Sequence, residues 1–243
     1  LNENQIGDEG ATALAKALET NQFITNIYLG VNKIGDKGAI ALAEALKTNH
    51  SVTELYLSKN QIGAEGAIAL AEVLKTNHSV TELYLSDNNI GAEGVAVLAE
   101  ALKNNHFITD IYLGGNNIGD EGAIALAEAL KNNHSITYIG LGYNNISVEN
   151  IAVIGELLER NKKIFLDTSA MLKTLVAIES KKEIIDKLKK YASDDNTALL
   201  LIEFIDRPDA FKAVFKDKEL LSGIMSEVTT FIETGGIDSP HTP

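Results

Sequence analysis

Four histidines, His50, His78, His106 and His134, follow one another at intervals of 28 residues, and imidazoles on neighbouring strands about 5 Å apart would be placed to share a metal ion. No carboxylate accompanies them at ligand spacing, and Gln22 takes the same place in the first repeat, so they are read as a copied loop residue and no metal is assigned. Gly63 and Gly66, ahead of a helical pattern, have the outline of a phosphate cradle, yet the Lys-Ser/Thr of a P-loop is missing. The pair recurs from repeat to repeat, and turn geometry accounts for it. The absence of cysteine removes thiolate nucleophiles, thiolate metal ligands and disulfides together. Ser169, Ser180, Ser193, Ser222, Ser226 and Ser239 lack a neighbouring base, His241 being the only histidine of that region. No catalytic residue and no cofactor is assigned, and the chain is read as a non-enzyme.

A recognition surface is better provided for. Tyr28, Tyr56, Tyr84 and Tyr112 share one position of the repeat, which Gly140 fills in the last unit. Two residues earlier stand Asn26, Glu54, Glu82, Asp110 and Tyr138, and three residues after the tyrosines stand Val31, Lys59, Asp87, Gly115 and Tyr143. Alternation along a strand predicts that these side chains, with Thr25, Thr53, Thr81, Thr109 and Thr137, share the outer face. Aromatic side chains in a row resemble the low-entropy surfaces that dominate binding energies, and the carboxylates would attract lysine or arginine. Like charges on adjacent strands repel, so Glu54, Glu82 and Asp110 gain from a cationic partner. Stacked tyrosines also suit unpaired bases, but the same carboxylates repel phosphates. The protein-binding set is therefore Tyr28, Tyr56, Tyr84, Tyr112, Glu54, Glu82, Asp110, Tyr138, Lys59, Asp87 and Tyr143. The partner expected is a protein with a basic or mixed surface, with nucleic acid and membrane excluded.

The elements that position this face follow from the same 28-residue step, which links Leu1 to Leu141, Asn4 to Asn144 and Ile6 to Ile146. Five full units run 24–51, 52–79, 80–107, 108–135 and 136–163, preceded by a partial unit and followed by a strand stub, Ile164-Phe165-Leu166-Asp167. Within a unit, Val80-Thr81-Glu82-Leu83-Tyr84-Leu85 alternates as a half-buried strand. Val95, Leu98, Ala99 and Leu102 then recur at helical spacing over 91–103. Gly91 and Gly94 mark the turn into the helix, Glu93, Asp36 or Asp120 sits at the positive end of the helix dipole, and Asn104-Asn105 offers a left-handed stop. Neither half buries its apolar face alone, so units stack, strand beside parallel strand and helix beside helix. Helices need about 8–10 Å each and strands about 4.8 Å, so the stack bends with strands inside. The asparagines at 32, 60, 88, 116 and 144 are expected inside that bend, bonded to neighbouring backbone.

The pattern read from Val52 to Leu74 and from Val80 to Leu102 resembles the ribonuclease-inhibitor-like class of leucine-rich repeats. It is also similar to the repeats of nucleotide-binding immune receptors and of some bacterial proteins delivered into host cells. The resemblance covers about two thirds of the chain. It implies an α/β, right-handed solenoid, a horseshoe segment with a parallel concave sheet and convex helices, and a protein–protein interaction role, in a bacterial effector or a regulatory adaptor. Ribonuclease inhibitor itself is cysteine-rich and alternates two unit types, which this chain does not, so ribonuclease inhibition is not expected.

After residue 167 glycine thins out and lysine becomes frequent. Helical patterns at 168–179, 181–192, 197–206, 209–216 and 218–233 predict a small all-α C-terminal domain at 168–233, a cap on the repeats, with a loose tail at 234–243. The alternative is a recognition scaffold whose helical domain carries a separate activity. The start at Leu1 inside a unit, without Met, predicts that the chain was cut from something longer. The 34 acidic against 21 basic side chains, a formal charge of −13, disfavour a grip on phosphate backbones or anionic membranes. No apolar run reaches the length of a membrane span, and a cytoplasmic monomer is expected, delivered into a host cell if the source is bacterial.

Overall fold

The computed structural model describes residues 1–176, with side chains to residue 166. Helical segments expected beyond 176, and the tail at 234–243, lie outside the described residues. The chain divides into two units, Leu1–Asn161 and Lys162–Pro243. The first alternates α1 (Gly7–Thr20), β1 (Asn26–Tyr28), α2 (Asp36–Leu46), β2 (Glu54–Tyr56), α3 (Ala64–Leu74), β3 (Glu82–Tyr84), α4 (Gly91–Asn104), β4 (Asp110–Tyr112), α5 (Gly119–Asn132) and β5 (Tyr138–Gly140), and α6 (Val148–Val176) follows. The five strands form one parallel sheet in chain order, and each residue pairs with the one 28 positions on, as in Tyr56↔Tyr84.

The core lies between the strand row and the helix row. Leu29, Leu57, Leu85 and Leu113 of the strand side meet Leu42, Leu70, Leu98 and Leu126 of the helices, all essentially without exposure. Fully burying one such leucine stabilises the fold by about 1.5–3 kcal/mol, and no unit could do so without its neighbours. Close helix packing is set by glycine. A methyl group on Gly94 would meet Ala64 Cα of the preceding helix at 3.1 Å and Ile90 Cγ2 at 2.7 Å.

Two asparagine ladders hold the turns on either side of the strands. In the expected one, Asn60 donates to Leu29 O and Leu57 O (3.0 and 2.9 Å) and accepts from Asn32 N and Ile34 N (both 3.0 Å). The second, Asn49, Asn77, Asn105 and Asn133 just past the ends of their helices and Asn161 within α6, is as deeply buried. Asn105 is not the left-handed stop expected there: its backbone is extended (φ −87°, ψ 117°). Its amide donates to Leu74 O, and its oxygen accepts from Phe107 N and Ile108 N, so the side chain turns the chain from helix to strand.

Helix starts depend on the preceding unit. Asp36 stands in the first turn of α2, as expected, and its Oδ1 also accepts from Gly63 N and Gly66 N of the next unit at 2.7 and 2.8 Å. Asp8 treats Gly35 and Gly38 in the same way. Where that position is Ala64 or Ala92, no carboxylate is offered. The glycine that follows one unit later, Gly91 or Gly119, then turns to positive φ (+68° and +62°) and donates to Asn116 O or Asn144 O of the unit ahead. Asp120 restores the device: it accepts from Ser147 N, Ser147 Oγ and Asn150 Nδ2, each at 2.8 Å. The Ser147 backbone N–H first, then the Asn150 and Ser147 side chains, hold its carboxyl below the ordinary carboxylate range.

The strand stub expected at residues 164–167 is helical, within α6. In earlier units the helix-end asparagine uses its oxygen on the N–H groups two and three residues ahead, as Asn49 does for Ser51 and Val52. On Asn161 that oxygen is taken by Arg160 Nε and Nη2 at 3.1 and 2.8 Å. Without its turn the helix runs on. No helix among the described residues is long and apolar enough to cross a membrane.

Candidate recognition face

The parallel register places Tyr28, Tyr56, Tyr84 and Tyr112 side by side with their rings stacked. Centroid separations are 4.3, 3.9 and 4.2 Å and interplanar angles 23°, 14° and 8°. Tyr138, two residues before the gap at Gly140, adds a fifth ring 4.9 Å from Tyr112 and tilted by 44°. It does so by lying over the glycine: a Cβ on Gly140 would sit 3.4 Å from Tyr138 Cε1 and 3.5 Å from Tyr112 Cδ1. An aromatic ring thus covers the strand position where the side chain is missing. The ladder is longer than the sequence file of tyrosines suggests.

The carboxylates are bonded to the tyrosines. Tyr56 Oη donates to Glu54 Oε2 at 2.8 Å and Tyr84 Oη to Glu82 Oε2 at 2.5 Å. Asp110, one methylene shorter, instead accepts from Thr109 Oγ1 at 2.6 Å. For Tyr56 the neighbouring Tyr84 hydroxyl acts to lower the pKa, but desolvation, the Glu54 carboxylate and Tyr28 outweigh it and push the phenol up to about 12. Burial, then the Glu82 carboxylate and the two flanking tyrosines, raise Tyr84 further still. Both phenols hold their protons more tightly folded than unfolded. Their contribution to stability is therefore complete below about pH 10; that of Tyr56 is lost as pH rises through about 12, and that of Tyr84 at higher pH still. An absorbance titration at 295 nm is expected to show a wild-type minus Tyr84→Phe difference only above pH 12, together with unfolding; a difference titrating at pH 10 in folded protein would contradict this.

Lys59, Asp87 and Tyr143 are placed otherwise than strand alternation predicts. The strands end at the tyrosine position, three residues earlier, and Lys59, Asp87 and Tyr143 occupy exposed turns with left-handed φ of 57°, 55° and 59°. The β-branched Val31 adopts the same conformation at φ 58°. They form a rim beside the face and do not continue it. The histidines lie in loops between helix and strand, His78 stacked on Phe107 at 4.4 Å, and no group of metal-ligating residues occurs among the described residues. A cavity of about 450 Å³ between β5 and α6 is lined chiefly by Ile139, Leu141, Ile146, Ile154 and Leu158. Among the described residues of its wall, Tyr143 alone is titratable.

Residues 1–15, 20–43, 48–71, 76–99 and 104–127 match the leucine-rich repeat family. Among solved structures the chain is similar to the actin-binding site 2 domain of leiomodin-1, with a TM-score of 0.60 and 21% identity over 66% of this chain and 92% of that one. It is also similar to the tropomodulin C-terminal domain of Caenorhabditis elegans, with a TM-score of 0.57 and 19% identity over 67% of this chain and 98% of that one. No curated protein matches it in sequence. Repeat sequence and fold agree, and the chain carries a leucine-rich-repeat solenoid.

Proposed function

We propose that the strand face of Leu1–Asn161 binds a protein with a basic or mixed surface, and that the chain is a regulatory adaptor without catalytic activity. The observation that supports this is the five-ring tyrosine ladder, half-exposed at Tyr28 and Tyr138 (43% and 42%), with carboxylates alongside that none of the ion pairs among the described residues reaches. Tyr28, Tyr56, Tyr84, Tyr112 and Tyr138 form the contact surface, Glu54, Glu82 and Asp110 supply charge, and Lys59, Asp87 and Tyr143 form the rim. Leucine-rich repeats serve protein–protein interaction generally, and the 28-residue units are assigned here to the ribonuclease-inhibitor-like class. A cytoplasmic monomer suits this role.

Two probes test the reading. Binders are selected from a displayed library against the full chain, and actin, the ligand named for the leiomodin domain, is offered in a direct binding assay. Tyr56→Ala with Tyr84→Ala is expected to weaken selected binders about tenfold or more, whereas Ile40→Ala on the exposed side of α2 leaves them unchanged. The tyrosine pair also removes three ring stacks, at about 0.5–1.5 kcal/mol each, so binding is read well below the melting temperature. Binders indifferent to the tyrosines but sensitive to Ile40 would move the site to the helical side.

A further inference from the structure

We infer that the occupant of this face is a helix presenting arginines across the strands, at positions i, i+4 and i+7, to Glu54, Glu82 and Asp110. The inference rests on the strand face being the binding surface and adds the chemistry of what it binds. It follows from where the hydroxyl protons go. At the centre of the sheet Tyr56 and Tyr84 donate to Glu54 and Glu82. Thr53 Oγ1 donates to Thr25 O at 3.3 Å, Thr81 Oγ1 to Thr53 O at 3.2 Å and Thr109 Oγ1 to Asp110 Oδ2 at 2.6 Å. These hydroxyls therefore spend their protons inside the sheet, and the central patch turns only acceptors outward: carboxylate oxygens and the lone pairs of tyrosine and threonine. A carboxylate, phosphate or carbonyl finds no hydroxyl proton to accept from at Tyr56 or Tyr84. A donor finds several acceptors at once.

Charge points the same way. Ion pairs among the described residues join Lys47 to Glu44, Lys75 to Glu72 and Lys131 to Glu128 along the helices, and none of them reaches the carboxylates of the strand face. Glu54, Glu82 and Asp110 stand directly opposite one another on adjacent strands, where like charges repel. Ring faces within the ladder are covered by neighbouring rings at 3.9–4.3 Å, so a cation is drawn to the carboxylates and not onto a ring. Guanidinium, with five donors in a planar fork, can bridge two carboxylates at strand spacing; ammonium, a point charge, holds one.

Spacing selects the backbone of the partner. Three carboxylates on successive strands lie at about 0, 4.8 and 9.6 Å along the solenoid. A helix rising about 1.5 Å per residue brings residues i, i+4 and i+7 to about 0, 6 and 10.5 Å. An extended segment, at about 3.3 Å per residue, brings its like-facing side chains to about 0, 6.6 and 13 Å and falls out of step.

The test uses labelled alanine-rich helical peptides against the full chain, read by fluorescence anisotropy at two salt concentrations. One peptide carries arginine at i, i+4 and i+7. Others carry citrulline, lysine or glutamate at those places, or arginine at i, i+2 and i+4. The arginine helix is expected to bind at least tenfold tighter than the citrulline, glutamate and respaced peptides, and severalfold tighter than the lysine one. Glu54→Gln with Glu82→Gln, which keeps oxygen acceptors for both tyrosines, is expected to remove that preference without lowering the melting temperature. Equal binding of the respaced peptide, or an unchanged arginine preference in the glutamine pair, overturns the inference. If library-selected binders depend on Tyr56 and Tyr84 but reach the face through acidic or apolar side chains, the face remains a binding surface and only the arginine assignment falls. If no binder depends on those tyrosines, the parent reading falls first.

Discussion

Asn77→Asp is expected to cost about 3–5 kcal/mol of unfolding free energy at neutral pH, measured by urea titration, although it exchanges one NH2 for an oxygen. Asn77 is 1% exposed. Its amide nitrogen donates to Leu46 O at 2.9 Å and Asn49 O at 3.1 Å. Its oxygen accepts from Ser79 N and Val80 N at 3.0 Å and from Ser79 Oγ at 3.1 Å. An aspartate keeps the second set and loses the first. It leaves two buried carbonyls unpaired, at about 1–3 kcal/mol each, and places a negative charge against them. Protonating the new carboxyl restores one donor, so the deficit is expected to shrink as pH falls below the carboxylate range. Neighbouring units share the damage, because Asn49 O and Leu46 O belong to the preceding repeat, and the transition is expected to remain coincident by circular dichroism and tyrosine fluorescence. The control is Asn89→Asp, an exposed site whose backbone N–H alone bonds, to Ile62 O at 2.8 Å. If Asn77→Asp matches the control within about 1 kcal/mol, the second ladder is not structural.

That ladder also shows how far the sequence could be read. Asparagine at 32, 60, 88, 116 and 144 is recognisable because it stands alone after a strand, where a buried amide has an obvious task. Asparagine at 49, 77, 105 and 133 recurs on the same step, but at a helix end, where the residue is so commonly a left-handed cap that local preference answered the question before the period did. Conformation at the rim was lost for a similar reason. Strand alternation ends at the tyrosine position, and three residues on Val31, Lys59, Asp87 and Tyr143 occupy left-handed turns, a conformation that of these four only aspartate commonly adopts. Tyr138 over Gly140 was visible as two separate departures from the repeat; only the register shows that one compensates the other. After Asn161 the helix continues where earlier units turn to a strand, and the Asn161 oxygen is engaged by Arg160, where other units carry threonine or asparagine. Period, register, core and the tyrosine file were legible because each is a repeated pattern. What was missed are the places where one residue changes a turn.

The sharpest such place is the alternation of aspartate and alanine at 8, 36, 64, 92 and 120, and it supports a double-mutant prediction. Gly91→Ser alone is expected to destabilise by about 1–2 kcal/mol, since φ at this residue is +68° and a side chain there pays for the left-handed region. Ala64→Asp alone is expected to stabilise by about 0.5–1.5 kcal/mol, the usual worth of a helix cap, by offering Gly91 N and Gly94 N what Asp36 offers Gly63 N and Gly66 N. With that acceptor in place the turn no longer needs positive φ; Gly35 and Gly63, each served by an aspartate, sit at −99° and −98°. Serine is then tolerated, and its hydroxyl gains a partner, as Ser147 Oγ does on Asp120. In the Ala64→Asp background the serine is therefore expected to be neutral or mildly stabilising, a coupling of about 1–2 kcal/mol between residues 27 positions apart. Thermal or urea unfolding of the four proteins of the cycle measures it. Additive effects, with Gly91→Ser costing the same in both backgrounds, would show that the carboxylate does not choose the glycine conformation, and the cross-unit cap would reduce to a surface hydrogen bond.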